Sequence, residues 1–214
     1  MIERLVPTTV ATSETREDLL QAELFPEETR LIARAVERRR REFTTGRACA
    51  RNALRQLGVG PVAILKGARG EPLWPPGIVG SITHCQGYRA SAVALASNIT
   101  SIGIDADEDA PLAEGILERI AFGSELELAG HDDPASLDQL LFCAKEAVYK
   151  AWFPLARRLL RFKDVEVTID PEHQTLTARL LVCGPAMGGI PSSELHGRWC
   201  AEDGILCAAV VIPS

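Results

Sequence analysis

Asp105 and Asp107 lie two apart in the segment Gly103-Ile104-Asp105-Ala106-Asp107. On a β-strand, residues two apart share a face, so these carboxylates stand side by side. Such a pair repels unless it is solvated or a cation sits between its members. The preceding Ser101-Ile102-Gly103-Ile104 is apolar enough to be a buried strand. The alternative is a strand end dissolving into an acidic loop, because Glu108 and Asp109 follow. This fragment alone leaves both readings open.

A second group lies in Phe142-Cys143-Ala144-Lys145-Glu146-Ala147-Val148-Tyr149-Lys150. On a helix, Glu146 and Lys150 are one turn apart, as are Lys145 and Tyr149. An exposed amphipathic helix with a Glu–Lys pair explains the fragment equally well in isolation. The flanking Leu140, Leu141, Ala151 and Trp152 leave little polar face, however, so the charges need partners. Combined with the strand, Asp105, Asp107 and Glu146 make a hard oxygen site. Mg²⁺ suits such a site and takes its remaining ligands from water and substrate phosphates. Lysines beside it would neutralise phosphate oxygens, the arrangement of a phosphate-transfer centre.

Two further groups are cationic. Lys66-Gly67-Ala68-Arg69-Gly70-Glu71-Pro72 is followed by Gly80-Ser81-Ile82-Thr83-His84. The glycines let backbone approach a ligand, while Arg69 and His84 could grip phosphates. A Gly/Pro-rich connector with a solvated histidine is the plainer alternative, and neither cluster is a P-loop or dinucleotide fingerprint. Arginines recur at 38–41, 47, 51 and 55. Arg47, Arg51 and Arg55 share one helix face. A solvated face is the ordinary explanation, but Arg47 and Arg51 lie among small and apolar residues, which suits a phosphate-facing role for one or two of them.

These side chains need a frame. Pro26-Glu27-Glu28 opens a helix that runs to about Leu57, with a break near Thr44-Thr45-Gly46 and a stop at Gly58. Strands are expected at 62–65, 78–83, 90–96 and 101–107, with a turn at Gln86-Gly87 and a Gly/Pro-rich loop over 67–77. Short helices follow at 112–120 and 124–128, then a long helix over 134–152 with Pro154 just beyond. The last third reads as strands at 165–169, 175–182, 195–201 and 205–212, with a hairpin turn at Glu202-Asp203-Gly204. Helices and strands are segregated rather than alternating. The expected class is therefore α+β, in two similar halves meeting near residue 100, although no sequence repeat proves their kinship.

Composition narrows the function. The net charge is −6, which excludes a general nucleic-acid binder while leaving room for a local basic pocket. No signal-like apolar core is seen over residues 1–18, and no apolar run has membrane-spanning length, so a cytoplasmic protein is expected. The six cysteines form no Cys-x-x-Cys pair and read as reduced core residues.

Taken as a set, these motifs resemble the 4'-phosphopantetheinyl transferases of the Sfp/enterobactin-synthetase-component-D type. The resemblance spans nearly the whole chain and is strongest to the actinobacterial branch. Phe43-Thr44-Thr45…Cys49-Ala50-Arg51, Ile64-Leu65-Lys66-Gly67…Gly70-Glu71-Pro72…Trp74-Pro75 and Phe142-Cys143-Ala144-Lys145-Glu146…Tyr149-Lys150-Ala151-Trp152-Phe153-Pro154-Leu155 carry it. It implies a monomer with two pseudo-twofold-related halves, 1–100 and 101–214, and coenzyme A in the cleft between them. The first half would supply phosphate and nucleotide contacts, the second the acids and the Lys-Glu helix.

The resemblance further implies that Asp105, Asp107 and Glu146 hold Mg²⁺, with Mn²⁺ as a substitute. Asp107 departs from the family, which usually has Glu there. Arg47, Arg51, Arg69 and His84 would bind the 3'-phospho-ADP phosphates, and Lys145 and Lys150 the pyrophosphate. Lys66, Gly70, Ser81 and Thr83 complete the expected coenzyme A contacts, and Asp105, Glu146 and Lys150 are the expected catalytic residues. The partners would be acyl or peptidyl carrier domains of polyketide, nonribosomal peptide, siderophore or fatty acid synthesis. Arg38–Arg41, or Arg157, Arg158 and Arg161, are candidates to steer them. Two rival readings are a Mg²⁺-dependent phosphohydrolase or nucleotidyl transferase and a non-catalytic module binding coenzyme A or carrier proteins.

Overall fold

The computed structural model describes residues 1–128, 136–182, 186–187, 190–191 and 193–214. In chain order the elements are β1 (Ala11–Thr15), α1 (Pro26–Leu31), α2 (Glu37–Gln56), β2 (Leu65–Lys66), β3 (Pro72–Leu73), β4 (Ile78–Cys85), β5 (Tyr88–Leu95) and β6 (Ile99–Glu108). They continue with α3 (Leu117–Ile120), α4 (Leu137–Ala156), β7 (Val165–Asp170), β8 (Thr175–Leu180), β9 (Ala186–Met187), β10 (Ile190–Pro191), β11 (Glu194–Glu202) and β12 (Ile205–Pro213). The class is α+β, as expected.

Two antiparallel sheets carry the site. One has the order β1-β5-β4, the other β6-β12-β11-β8-β7. Each supports one long helix, α2 on the first and α4 on the second. The sheets meet where edge strand β4 lies beside edge strand β6. No backbone ladder joins the two strands. Instead the Ser81 hydroxyl accepts the Ile104 N–H at 3.2 Å, and the Thr83 hydroxyl accepts the Ala106 N–H at 3.0 Å. Side-chain oxygens thus satisfy buried donors that an edge would otherwise strand.

β6 alternates as its sequence requires. Ile102, Ile104 and Ala106 enter the apolar cluster between the sheets, together with Tyr88, Ala90, Ala92 and Cys207. The opposite face carries Ser101, Gly103 and Asp105 against α4. A Cβ on Gly103 would stand 1.8 Å from the Ala147 carbonyl oxygen, so glycine is what lets α4 lie this close. The α4 side of that contact is apolar: Leu140, Ala144, Ala147, Val148, Ala151 and Trp152 are all buried. Their burial at helical spacing supplies the main adhesive term.

Three expectations need correction. The first long helix does not break at Thr44-Thr45-Gly46. It breaks earlier, over residues 32–36, and α2 runs unbroken through Gly46. A Cβ on Gly46 would come within 3.2 Å of Ile82 Cγ2, so this glycine serves close helix–sheet approach. α4 also runs past Pro154 to Ala156. Proline there removes only the N–H that would have bonded the Lys150 carbonyl, and the buried Trp152 and Phe153 hold the turn in place. Arg157 then caps α4 in the left-handed region at φ 52°, its N–H donating to the Phe153 carbonyl at 2.9 Å. Finally, the strand expected at 62–65 is the two-residue β2, paired with β3.

The last hairpin closes at Asp203 (φ 49°) and Gly204 (φ 74°), the positive-φ pair of an Asp-Gly turn. Cys49, Cys85, Cys143, Cys200 and Cys207 are free and buried, whereas Cys183 and the expected helix start at Pro134 lie outside the described residues.

Candidate active site

Lys150 sits at the seam between the sheets. Its Nζ donates to Asp105 Oδ1 at 2.7 Å, to the Ile104 carbonyl at 3.0 Å and to the Ile82 carbonyl at 3.4 Å. The Thr83 hydroxyl donates to the same Asp105 oxygen at 3.1 Å. One turn back on α4, half-buried Glu146 faces this pair. Burial, and then the Asp105 charge, raises the Glu146 carboxyl pKa, with Lys150 opposing. A single ammonium therefore faces two partly desolvated carboxylates, an arrangement short of positive charge.

Asp107 does not join them as expected. Its Oδ2 accepts the Gln139 side-chain amide at 2.8 Å and its Oδ1 accepts the Glu108 N–H at 2.9 Å. Among the described residues no three His, Cys, Asp or Glu side chains converge closely enough to hold a metal ion. The shorter acid at 107 is held on the N-terminal turn of α4, away from the convergence of Asp105 and Glu146.

Across the seam lies a cationic cluster. Arg47 is 5% exposed, donates from Nε to the Ile64 carbonyl at 2.7 Å and lies 4.3 Å over the Phe43 ring. Lys66 approaches the same ring at 5.2 Å. Burial lowers Arg47 to about 10; Glu28, 3.9 Å away, opposes the shift, and the neighbouring Arg51 and Arg39 add to it. Burial, then Arg39 and Arg47, lowers Lys66. His84 contacts the Arg39 guanidinium through Nε2 and lies 3.6 Å from a Glu42 oxygen. Burial and Arg39 lower His84 to about 4, so it is neutral at pH 7. Cations packed this way repel one another, and a bound polyanion relieves the repulsion.

Arg39 was missing from the sequence-based set, where Arg38–Arg41 read only as a possible steering run. The signal was present: Arg39, Phe43 and Arg47 are spaced i, i+4, i+8 on one face of α2.

Other expected residues fall elsewhere. Lys145 is 1% exposed, and its Nζ donates to Glu125 Oε2 at 2.7 Å and to the carbonyls of Ile120, Phe162 and Val165 at 2.8, 2.9 and 3.0 Å. Those acceptors leave its ammonium no face for a pyrophosphate, so that assignment is withdrawn. Arg51 grips buried Glu28 at 3.0 Å and donates to the Glu23 carbonyl at 2.7 Å. Glu28 also accepts the Ile64 N–H at 2.9 Å, so this network ties α1, α2 and the approach to β2 together. Arg51 is thereby withdrawn from the phosphate set. Ser81 and Thr83 are buried and spend their hydroxyls on β6 and Asp105, so they position rather than present groups. Arg69 is exposed and, with Gly70, lines a cavity whose lining does not include Arg39, Arg47 or Lys66.

That cavity has a volume of about 550 Å³. Glu146 and Lys150 lie at one end, Trp74, Tyr149 and Phe153 form apolar walls, and Arg157 stands two helical turns beyond Lys150. An α+β frame that sets a polyanion-attracting cluster beside a carboxylate–lysine group, with a cavity opening at the latter, defines a class: a protein built to hold a phosphorylated ligand.

Sequence comparison agrees. Residues 27–94 match the family model described as 4'-phosphopantetheinyl transferase N-terminal domain, and residues 101–202 match that of the 4'-phosphopantetheinyl transferase superfamily. The chain is 48% identical to 4'-phosphopantetheinyl transferase Svp of Streptomyces mobaraensis, covering 88% of this chain and 78% of that one. It is 44% identical to PptT of Mycobacterium tuberculosis (99% and 98% covered) and 46% identical to Npt of Nocardia iowensis (98% and 99% covered). The chain belongs to the 4'-phosphopantetheinyl transferase superfamily. It moves the 4'-phosphopantetheine group of coenzyme A onto a serine of carrier-protein domains, converting apo to holo carrier. Among the described residues no helix is long and apolar enough to cross a membrane.

Proposed function

We propose that the transfer takes place at the β4–β6 seam, with the chain dividing near residue 100 into a phosphate-gripping half and an acid–lysine half. Arg39, Arg47, Lys66 and His84 would hold the phosphates of the 3'-phospho-ADP moiety. The apolar cavity beyond Glu146 and Lys150 would take the pantetheine arm, with Arg69 and Gly70 at its rim. The observation that carries this reading is Lys150, whose ammonium binds Asp105 while Glu146 stands beside it in the wall of the cavity.

The residues fit a divalent cation. Asp105 and Glu146 are hard oxygen donors facing one compensating charge, and Mg²⁺, or Mn²⁺ in its place, would relieve the excess. When bound, the ion would neutralise charge on the pyrophosphate oxygens. Asp107, held by Gln139, would stay outside that set.

The chain's own residues would do the following. The carrier serine hydroxyl attacks the β-phosphate of coenzyme A, the phosphorus bearing the pantetheine arm, and 3',5'-ADP leaves. Lys150 faces the charge that develops on the leaving oxygens. Glu146, whose carboxyl pKa is raised by burial, takes the serine proton directly or through a water it orders. Thr83 keeps Asp105 turned toward Lys150. We assign the partners to polyketide, nonribosomal peptide or siderophore synthesis and the chain to a cytoplasmic monomer, in keeping with its sequence-level resemblance.

The test is an intact-mass spectrum of an apo carrier domain after incubation with coenzyme A and Mg²⁺. A gain of about 340 Da in the wild type, abolished by chelation and by Asp105→Asn, is expected. Hydrolysis of coenzyme A without carrier modification would favour a phosphohydrolase instead. An Asp105→Asn protein of undiminished rate would remove the proposed metal site.

A further inference from the structure

Asp105, Asp107 and Glu146 differ in how their oxygens are used. The Glu146 carboxylate feels burial and the charges of Asp105 and Lys150 but accepts no hydrogen bond among the described residues. Asp105 uses one oxygen: Oδ1 accepts from Lys150 at 2.7 Å and from Thr83 at 3.1 Å. Asp107 uses both. Its Oδ1 accepts the Glu108 N–H at 2.9 Å, and its Oδ2 accepts the Gln139 side-chain amide at 2.8 Å. Gln139 is itself held in place. It is 7% exposed in the first turn of α4, and its backbone N–H donates to Asp138 Oδ1 at 2.8 Å. Asp138 Oδ2 in turn accepts the Leu112 N–H at 3.0 Å.

An amide donor differs from lysine or arginine in satisfying a carboxylate oxygen without cancelling its charge. Asp107 therefore stays an anion. The β6–β12 register is regular over residues 101–108, so Asp107 lies on the same face as Asp105, about 7 Å along the strand. We propose that Gln139 is a positioning residue that keeps Asp107 in reserve, so that before coenzyme A binds the divalent cation finds only two protein acids. The inference rests on the reading that Asp105 and Glu146 hold that cation. A site with few protein ligands is weak alone and is completed by substrate phosphates. Gln139 thus makes cation binding depend on the pyrophosphate of coenzyme A. The other role open to such an amide is to support a working ligand. That role leaves the acid a free oxygen, whereas both oxygens of Asp107 are occupied.

The experiment measures Mn²⁺ binding to the full chain without coenzyme A, read from the electron paramagnetic resonance signal of the free ion. Wild type should bind weakly and lose most of that binding in Asp105→Asn. Gln139→Leu and Gln139→Met keep side-chain bulk and helix propensity but cannot donate. Each should bind Mn²⁺ about tenfold more tightly, because no hydrogen bond to a charged group has to be broken before Asp107 turns to the ion. The gain should vanish in Gln139→Leu/Asp107→Asn. In the wild-type background Asp107→Asn should weaken binding by about fivefold or less, through loss of its field alone. Unchanged or weaker binding in the Gln139 variants, or a gain that survives Asp107→Asn, overturns the inference. A larger loss in Asp107→Asn alone also overturns it, and that comparison needs no Gln139 variant to fold. Wild-type binding indifferent to Asp105→Asn would instead overturn the metal reading beneath it.

Discussion

Lys145 and Lys150 stand five residues apart on the same helix, in surroundings of opposite character. Lys145 is enclosed by one carboxylate and three carbonyls, and its partner Glu125 also accepts the Phe122 and Val167 N–H groups, each at 2.6 Å. Every charge in that network is answered from within the fold. Lys150 answers Asp105 but leaves Glu146 under repulsion, and across the seam Arg47, Lys66 and Arg39 press on one another, answered only in part by Glu28 and Glu42. The first region joins segments 120–125 and 162–167 to α4. The second region is left unbalanced in a way that a phosphorylated ligand and a cation would complete. Internal satisfaction marks the charge kept for stability, and unrelieved repulsion marks the charge kept for chemistry.

The largest expected effect breaks the closed network. Lys145→Met leaves Glu125 buried without its cation and should cost about 3–5 kcal/mol in urea unfolding. Recovery in the double variant Lys145→Met/Glu125→Gln would show that the pair, and not the lysine alone, is responsible. Lys150→Met should act the other way. Phosphopantetheine transfer should fall by about 10²–10³-fold, with the unfolding midpoint near wild type. A variant whose stability collapsed with its activity would place Lys150 in the same category as Lys145. Arg39→Gln removes one member of the cationic cluster, and KM for coenzyme A should rise by about tenfold or more, the difference narrowing at high salt.

The smallest effect concerns pH. His84 titrates near 4 in the folded chain, against an ordinary histidine value near 6.5. Between those values the unfolded chain binds more protons than the folded one. His84 therefore lowers stability as pH falls from about 6.5 to 4 and has no effect above that window. Urea midpoints at pH 7 and pH 5 should differ less in His84→Gln than in wild type.

Much of this division was legible in the sequence. Asp105, Glu146 and Lys150 announce themselves because strand alternation and helix spacing are local rules, and both elements formed where those rules placed them. The Asp203-Gly204 turn was legible for the same reason. Lys145 was not, because the groups that enclose it come from Glu125, Phe162 and Val165, and nothing in the Lys-Glu motif indicates that they gather there. Arg51 misled in the same way: its partner Glu28 lies 23 residues upstream. Gly46 looked like a breaker because a helix-interior glycine is costly in isolation. Its purpose, contact with Ile82 on β4, exists only once α2 has packed on the first sheet. Strand β1 was missed because its sequence, Ala-Thr-Ser-Glu-Thr, lacks apolar alternation and forms only against β5.

The most direct test of the distinction is the transfer rate of Glu146→Gln, recorded on a preparation whose urea midpoint is measured alongside. Removing a carboxylate that repels Asp105 should leave the midpoint unchanged or raise it, while modification of the apo carrier falls by about 10²-fold or more. Near-normal transfer, or a midpoint lowered together with the rate, would contradict the assignment of this charge to the reaction.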